Sequence, residues 1–168
     1  MCLKNKKKSP LRRQLASFAA AGRGLWVALR EESHLRFHLV AAVYVLYFSR
    51  WYGFARGEYA LLFVLFGLVC GLEMANSALE RLCDRVCGEY DPAIGRVKDM
   101  AAGAVLAAAV CAVGVALVLF WQPAVLAAIA REFWGQPWRL ALLLLSAVFS
   151  VWFICGFSAK NKNNKKTD

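Results

Sequence analysis

From Glu58 to about Cys87 the chain runs for some thirty residues without a helix breaker, and this run limits what it can fold into. As a helix it measures roughly 45 Å at about 1.5 Å per residue, against a hydrocarbon core of about 30 Å. Such a helix crosses a bilayer and then projects into water. Arg81, Asp84 and Arg85 mark the projecting end. Composition agrees: 60% of residues are hydrophobic and mean hydropathy is +0.47, above that of an ordinary soluble domain. With 168 residues the chain is one domain, with room for three or four spanning helices.

The remaining segments divide around this rod. Residues 1–11 form a polar, basic tail. Between Arg12 and Arg30, Leu15, Phe18, Gly22, Trp26 and Leu29 recur at three- and four-residue steps, while Arg23 and Arg30 forbid spanning. That pattern predicts an amphipathic helix lying in the membrane interface. A first span runs from Phe37 to about Tyr52, and a third from Asp99 to Trp121. Between the second and third, Pro92 and Gly95 predict a loop over residues 88–98. After a polar break holding Pro123, Arg131, Glu132 and Pro137, a fourth span covers Trp138 to Phe157. The expected fold is an all-α membrane protein: an N-terminal interfacial helix, three core transmembrane helices and a fourth C-terminal one. The expected division is a tail at 1–11, a membrane domain at 12–121, an extension at 122–158 and a basic tail at 159–168.

The formal net charge is +10, and it is concentrated at the chain ends. Lys4, Lys6, Lys7, Lys8, Arg12 and Arg13 precede the apolar body; Lys160, Lys162, Lys165 and Lys166 follow it. Basic flanks on an apolar body fit cytoplasmic ends beside anionic lipid, and four spans put both ends inside. Nucleic-acid binding needs a basic face on a folded module, and none is visible. A secretory signal is excluded by Arg23 within the Leu15–Leu29 run. Of six cysteines, Cys83 and Cys87 share a helix face, but no further Cys or His at ligand spacing accompanies them. They read as small hydrophobes.

Ionisable groups inside spanning helices are expensive, about 2.5–3.5 kcal/mol at mid-membrane on insertion scales. The long helix carries Glu73, Asn76, Glu80 and Asp84 at offsets of 0, 3, 7 and 11. At about 100° per residue these fall within about 80° of one another, a single polar stripe. Two carboxylates one or two turns apart can share Mg²⁺ with phosphate oxygens, and a deeper carboxylate can take a proton from an alcohol. The stripe can also serve as polar glue between helices. Arg30-Glu31-Glu32 and Arg96-Val97-Lys98-Asp99 lie at the depth where the stripe emerges, and Lys98 and Arg96 can hold polyphosphate. The sequence has no GxxxxGK[ST], HRD or DFG element, so a bound nucleotide would sit outside the usual kinase folds.

The string Glu73-Met-Ala-Asn76-Ser77-Ala-Leu-Glu80, then Asp84-Arg85, Glu89-Tyr90 and Lys98-Asp99-Met-Ala-Ala-Gly103-Ala-Val, closely resembles the signature of the prokaryotic diacylglycerol kinase and undecaprenol kinase family. Gly24-Leu25 and Glu32-x-x-x-Arg36 fit the same pattern, and the resemblance covers residues 12 to about 121. It implies a small helical membrane enzyme, a homotrimer with active sites shared between protomers. It implies ATP as phosphoryl donor, Mg²⁺ as cofactor and a lipid alcohol as acceptor at the cytoplasmic face of the inner membrane. Carried over by position, Glu73 resembles the general base and Asn76 a polar residue beside it. Glu32 and Glu80 resemble metal-binding carboxylates at the nucleotide. Arg13, Glu89, Lys98 and Asp99 match positions around the nucleotide, with Asp84, Arg36 and Arg96 in support. The chain departs from the pattern in its fourth span and at Ala20, where some members carry an aromatic residue near the nucleotide.

The Lys98–Val105 string and the run from Glu32 to His38 look more like the undecaprenol kinase branch, with diacylglycerol as the alternative acceptor. The competing class is a non-catalytic scaffold whose stripe only packs helices. On the charge pattern, both tails are expected in the cytoplasm. Cysteines engineered into each tail should resist an impermeant thiol reagent applied to intact cells. Labelling of the C-terminal tail alone would mean an odd number of spans.

Overall fold

A computed structural model of the chain describes residues 9–86 and 91–164, with the backbone alone for 10 and 157–164. The described residues form six α-helices and one 3₁₀ turn, with no strand among them. They are α1 (Pro10–Glu31), α2 (Ser33–Phe48), the 3₁₀ turn Ser49–Trp51, α3 (Arg56–Val86), α4 (Pro92–Phe120), α5 (Pro123–Gly135) and α6 (Pro137–Asn164).

Among the described residues, three helices are long and apolar enough to cross a membrane: α3, α4 and α6 over Pro137–Gly156. Helix α2 has 16 residues, or about 24 Å, and the 3₁₀ turn adds about 6 Å, which brings the pair close to the core thickness. The surface is inverted relative to a soluble domain. Among the described residues only Leu35, Ala42, Leu62, Val69, Ala108 and Phe133 form a buried apolar core, while Val118 on α4 is 80% exposed and Val148 on α6 69%. Large apolar side chains facing outward along spanning helices are what lipid solvates.

Local chemistry explains the element boundaries. Asp91 caps α4, accepting a hydrogen bond from the Ala93 N–H at 2.7 Å, and Pro92 opens the first turn, where its missing N–H costs nothing. Pro92 and Gly95 therefore begin a helix, and the loop expected over 88–98 ends at Asp91. The break expected before the last span is likewise largely helical. Pro123 and Pro137 each stand at the start of a helix, α5 and α6, rather than inside a loop. Between the 3₁₀ turn and α3, Gly53 has φ +61°, a conformation that suits glycine.

The sharpest break is Glu32, which is extended at φ −102°, ψ 113° between α1 and α2. Ending α1 frees its last carbonyls, and a side chain from the next helix takes two of them. Arg36 is fully buried and donates from Nη1 to the carbonyls of Leu29 and Arg30, each at 2.9 Å. Its Nη2 and Nε donate to the carbonyl of Ile154 on α6, at 2.9 and 3.3 Å. One guanidinium thus joins three helices through backbone acceptors. At the other end of α2, Phe133 of α5 packs between Phe48 and Trp51, and the Trp51 indole donates to Glu132 at 2.7 Å. The extension is fastened to α2 at both ends.

Removing a charged donor to several buried acceptors leaves carbonyls unpaired. Arg36→Gln is expected to lower stability by about 2–4 kcal/mol, with Lys restoring only part because it lacks the planar fork. Thermal unfolding in detergent measures this.

Candidate functional site

Helix α3 makes its most extensive pairing with α4 and a second one with α2. Along this seam the deep end of the stripe faces inward, so Glu73 is only 9% exposed and the neighbouring Ser77 8%, while Asp84 at its far end is exposed. A cleft of about 400 Å³ opens here. Its polar wall is Glu32, His34, His38, Glu73, Asn76 and Glu80, and small side chains of α4, Ala102 and Ala109, allow close approach on the far side.

Within the cleft the carboxylates differ. Glu73 is held by His38, whose Nε2 lies 3.3 Å from Glu73 Oε1. A buried carboxylate needs such a partner, since unpaired burial of charge is costly. Asn76 donates from Nδ2 to Glu80 Oε1 at 2.9 Å, which orients its amide. Asn76 Oδ1 is then buried with no donor among the described residues. Glu32 Oε1 accepts from Arg81 Nη2 at 2.6 Å, and the same guanidinium reaches Glu31 at 2.8 Å. Arg81 thus ties the extended residue to α3.

Among the described residues, Glu32 Oε2 and Glu80 Oε2 carry no hydrogen bond or ion pair. No three His, Cys, Asp or Glu side chains converge on one point there. Two carboxylates with free oxygens and an orphaned amide oxygen make an all-oxygen donor set. This suits a hard divalent cation that completes its shell with phosphate and water. The residues fit Mg²⁺.

The other sequence-predicted residues fall into distinct places. Lys98 on α4 pairs with Asp84 on α3, closing the two helices near their shared end. Asp99 and Arg96 are exposed on the first turns of α4 and do not line the cleft. Arg13 is exposed near the start of α1, about 28 Å along the helix from Glu32. Arg36 stands outside the cleft, with its guanidinium on the three carbonyls described above. Glu89 lies outside the described residues. His38 was not among the expected site residues. Its signal was present, an ionisable side chain in an otherwise apolar run.

The family model for prokaryotic diacylglycerol kinase matches residues 19–120. The chain belongs to this family. The undecaprenol kinase of Bacillus subtilis (strain 168) is 34% identical over 113 residues, covering 67% of this chain and 92% of that protein. The diacylglycerol kinase of Escherichia coli (strain K12) is 34% identical over 100 residues, covering 60% and 82%. All cleft residues fall inside the matched segment, whereas α5 and α6 lie beyond it.

The burial of Glu73 generates an expectation about stability. Neutral Gln is easier to bury than Glu and can still bond to His38. Glu73→Gln should unfold at the wild-type temperature or above it; a clear fall in unfolding temperature would mean that the Glu73–His38 contact is a structural ion pair.

Proposed function

We propose that the chain is a lipid kinase that transfers the γ-phosphoryl group of ATP to the hydroxyl of a membrane lipid at the cytoplasmic interface. Undecaprenol is the favoured acceptor and diacylglycerol the alternative. The observation that carries the reading is one deep carboxylate, Glu73, sharing a cleft with the shallower carboxylates Glu32 and Glu80. The longer match to the undecaprenol kinase supports the choice of acceptor.

Glu73 accepts the proton of the lipid hydroxyl, and its depth lets it meet a hydroxyl that stays in the bilayer. His38 holds the Glu73 carboxylate in place, and Asn76 orients Glu80. Glu32 and Glu80 would hold Mg²⁺, which would supply charge neutralisation for the transferred phosphoryl group. Lys98 and Asp99, with Arg13 and Glu89, would contact the nucleotide, with Asp84 and Arg96 in support, while Arg36 serves the site by holding the chain break beside Glu32. In a single copy, Arg13 and Asp99 stand away from the cleft. That favours a homotrimer in which neighbouring protomers complete each site. The catalytic unit is residues 12–121, and 122–158 is an added element. The protein resides in the inner membrane with both ends cytoplasmic.

ATP-dependent phosphorylation of each lipid by purified protein in mixed micelles tests the reading. Glu73→Gln should cut turnover by about 10²–10⁴-fold with nucleotide affinity nearly unchanged. A rate within about threefold of wild type would remove Glu73 from the chemistry. Glu32→Ala and Glu80→Ala should each lose most activity at low Mg²⁺, with partial recovery at high Mg²⁺ for at least one. Near-normal turnover at low Mg²⁺ in both would refute the metal assignment.

A further inference from the structure

A second cavity, larger than the cleft, opens among the described residues. It lies on the other side of α2, between α2 and α6, with a volume of about 1030 Å³. Since α6 lies beyond the family-matched segment, this groove exists only because of the extension. We propose that it is a second lipid site, holding one anionic phospholipid with its phosphate at Arg50 and a single acyl chain along the groove. The inference is independent of the kinase reading.

Charge is confined to one end. Arg139 pairs with Glu132, whose second oxygen takes the Trp51 indole N–H, so this carboxylate is fully used. Arg50 has no carboxylate partner among the described residues and lies 5.9 Å from the ring of Tyr47. Two arginines and one glutamate leave that rim with one net positive charge. Trp51 and Trp138 flank it, as aromatic rings do at a membrane interface. A phosphodiester complements the rim. A zwitterionic headgroup adds an ammonium that the same rim repels.

The remainder of the groove suits an alkyl chain. Leu39, Val43, Leu142, Phe149 and Phe153 supply its walls. Its polar groups satisfy one another: the Tyr44 hydroxyl lies 2.8 Å from Ser146 Oγ and 3.3 Å from Ser150 Oγ. The two serines also donate to the carbonyls of Leu143 and Ser146, at 2.7 and 2.8 Å. No polar atom there needs a polar ligand. From Arg139 to Phe153 the groove extends about 21 Å along α6, longer than the roughly 15 Å half-thickness of the hydrocarbon core. Arg50, in the 3₁₀ turn that follows α2, lies about 19 Å beyond His38, which sets the headgroup in the leaflet opposite the cleft.

Native mass spectrometry of the full-length protein, offered phosphatidylglycerol and phosphatidylcholine of identical chains, tests this. The wild type should retain one phosphatidylglycerol per protomer and prefer it by about fivefold, as expected for one basic side chain at an anionic headgroup. Arg50→Gln should abolish the preference, Arg50→Lys should keep most of it, and Val43→Trp should exclude both lipids. An unchanged preference in Arg50→Gln would overturn the headgroup assignment. Full lipid retention in Val43→Trp, or a second protomer cross-linked through this groove in place of lipid, would overturn the site.

Discussion

A bilayer supplies no water to an interrupted helix, and the chain interrupts one at the point where its candidate site begins. The extended Glu32 leaves carbonyls at the end of α1 that something must satisfy, and Arg36 does so while fully buried. The direction of α1, the start of α2 and the seating of α6 all depend on that guanidinium. Arg81 performs the complementary task from the water side, reaching both Glu31 and Glu32 from α3. The break is thus held by two arginines, one through backbone oxygens and one through carboxylates. Lysine would serve poorly in either place, because each arginine engages several acceptors from one planar group.

The same economy shapes the cleft. A carboxylate as deep as Glu73 needs a partner, and His38 provides one from the facing helix. Asn76 spends its donor on Glu80 and keeps a buried acceptor in reserve. The site is polar enough to bind a charged substrate and still closed enough on the α4 side, through Ala102 and Ala109, to remain part of a membrane bundle.

Much of this was legible in the sequence because it is periodic. Glu73, Asn76 and Glu80 share one face of one helix, and the structure keeps them on one cleft wall with Glu32. What periodicity does not encode was read less well. Pro92, Gly95, Pro123 and Pro137 read as breaks because proline cannot continue a helix, yet three of them open helices, where the lost N–H is harmless. Long-range partners left no trace: Arg36 and Ile154 are separated by 118 residues, and Tyr44 and Ser146 by 102. His38 meets Glu73 across 35 residues, and only the cost of placing an imidazole in an apolar run pointed to it.

Helix α2 is a wall shared by two rooms. One side presents His34 and His38 to the cleft, and another presents Leu39, Val43 and Tyr47 to the groove against α6. Helix α4 is the opposite case, with Ala108 its only buried residue. The two helices should therefore age differently under mutation. Within a single copy α4 can exchange one apolar residue for another along most of its length, while α2 is constrained on two faces, at His34 and His38 by the cleft and at Leu39, Val43 and Tyr47 by the groove. A chain that acquires an additional helix in this way gains a surface but loses freedom to drift along the segment that carries it.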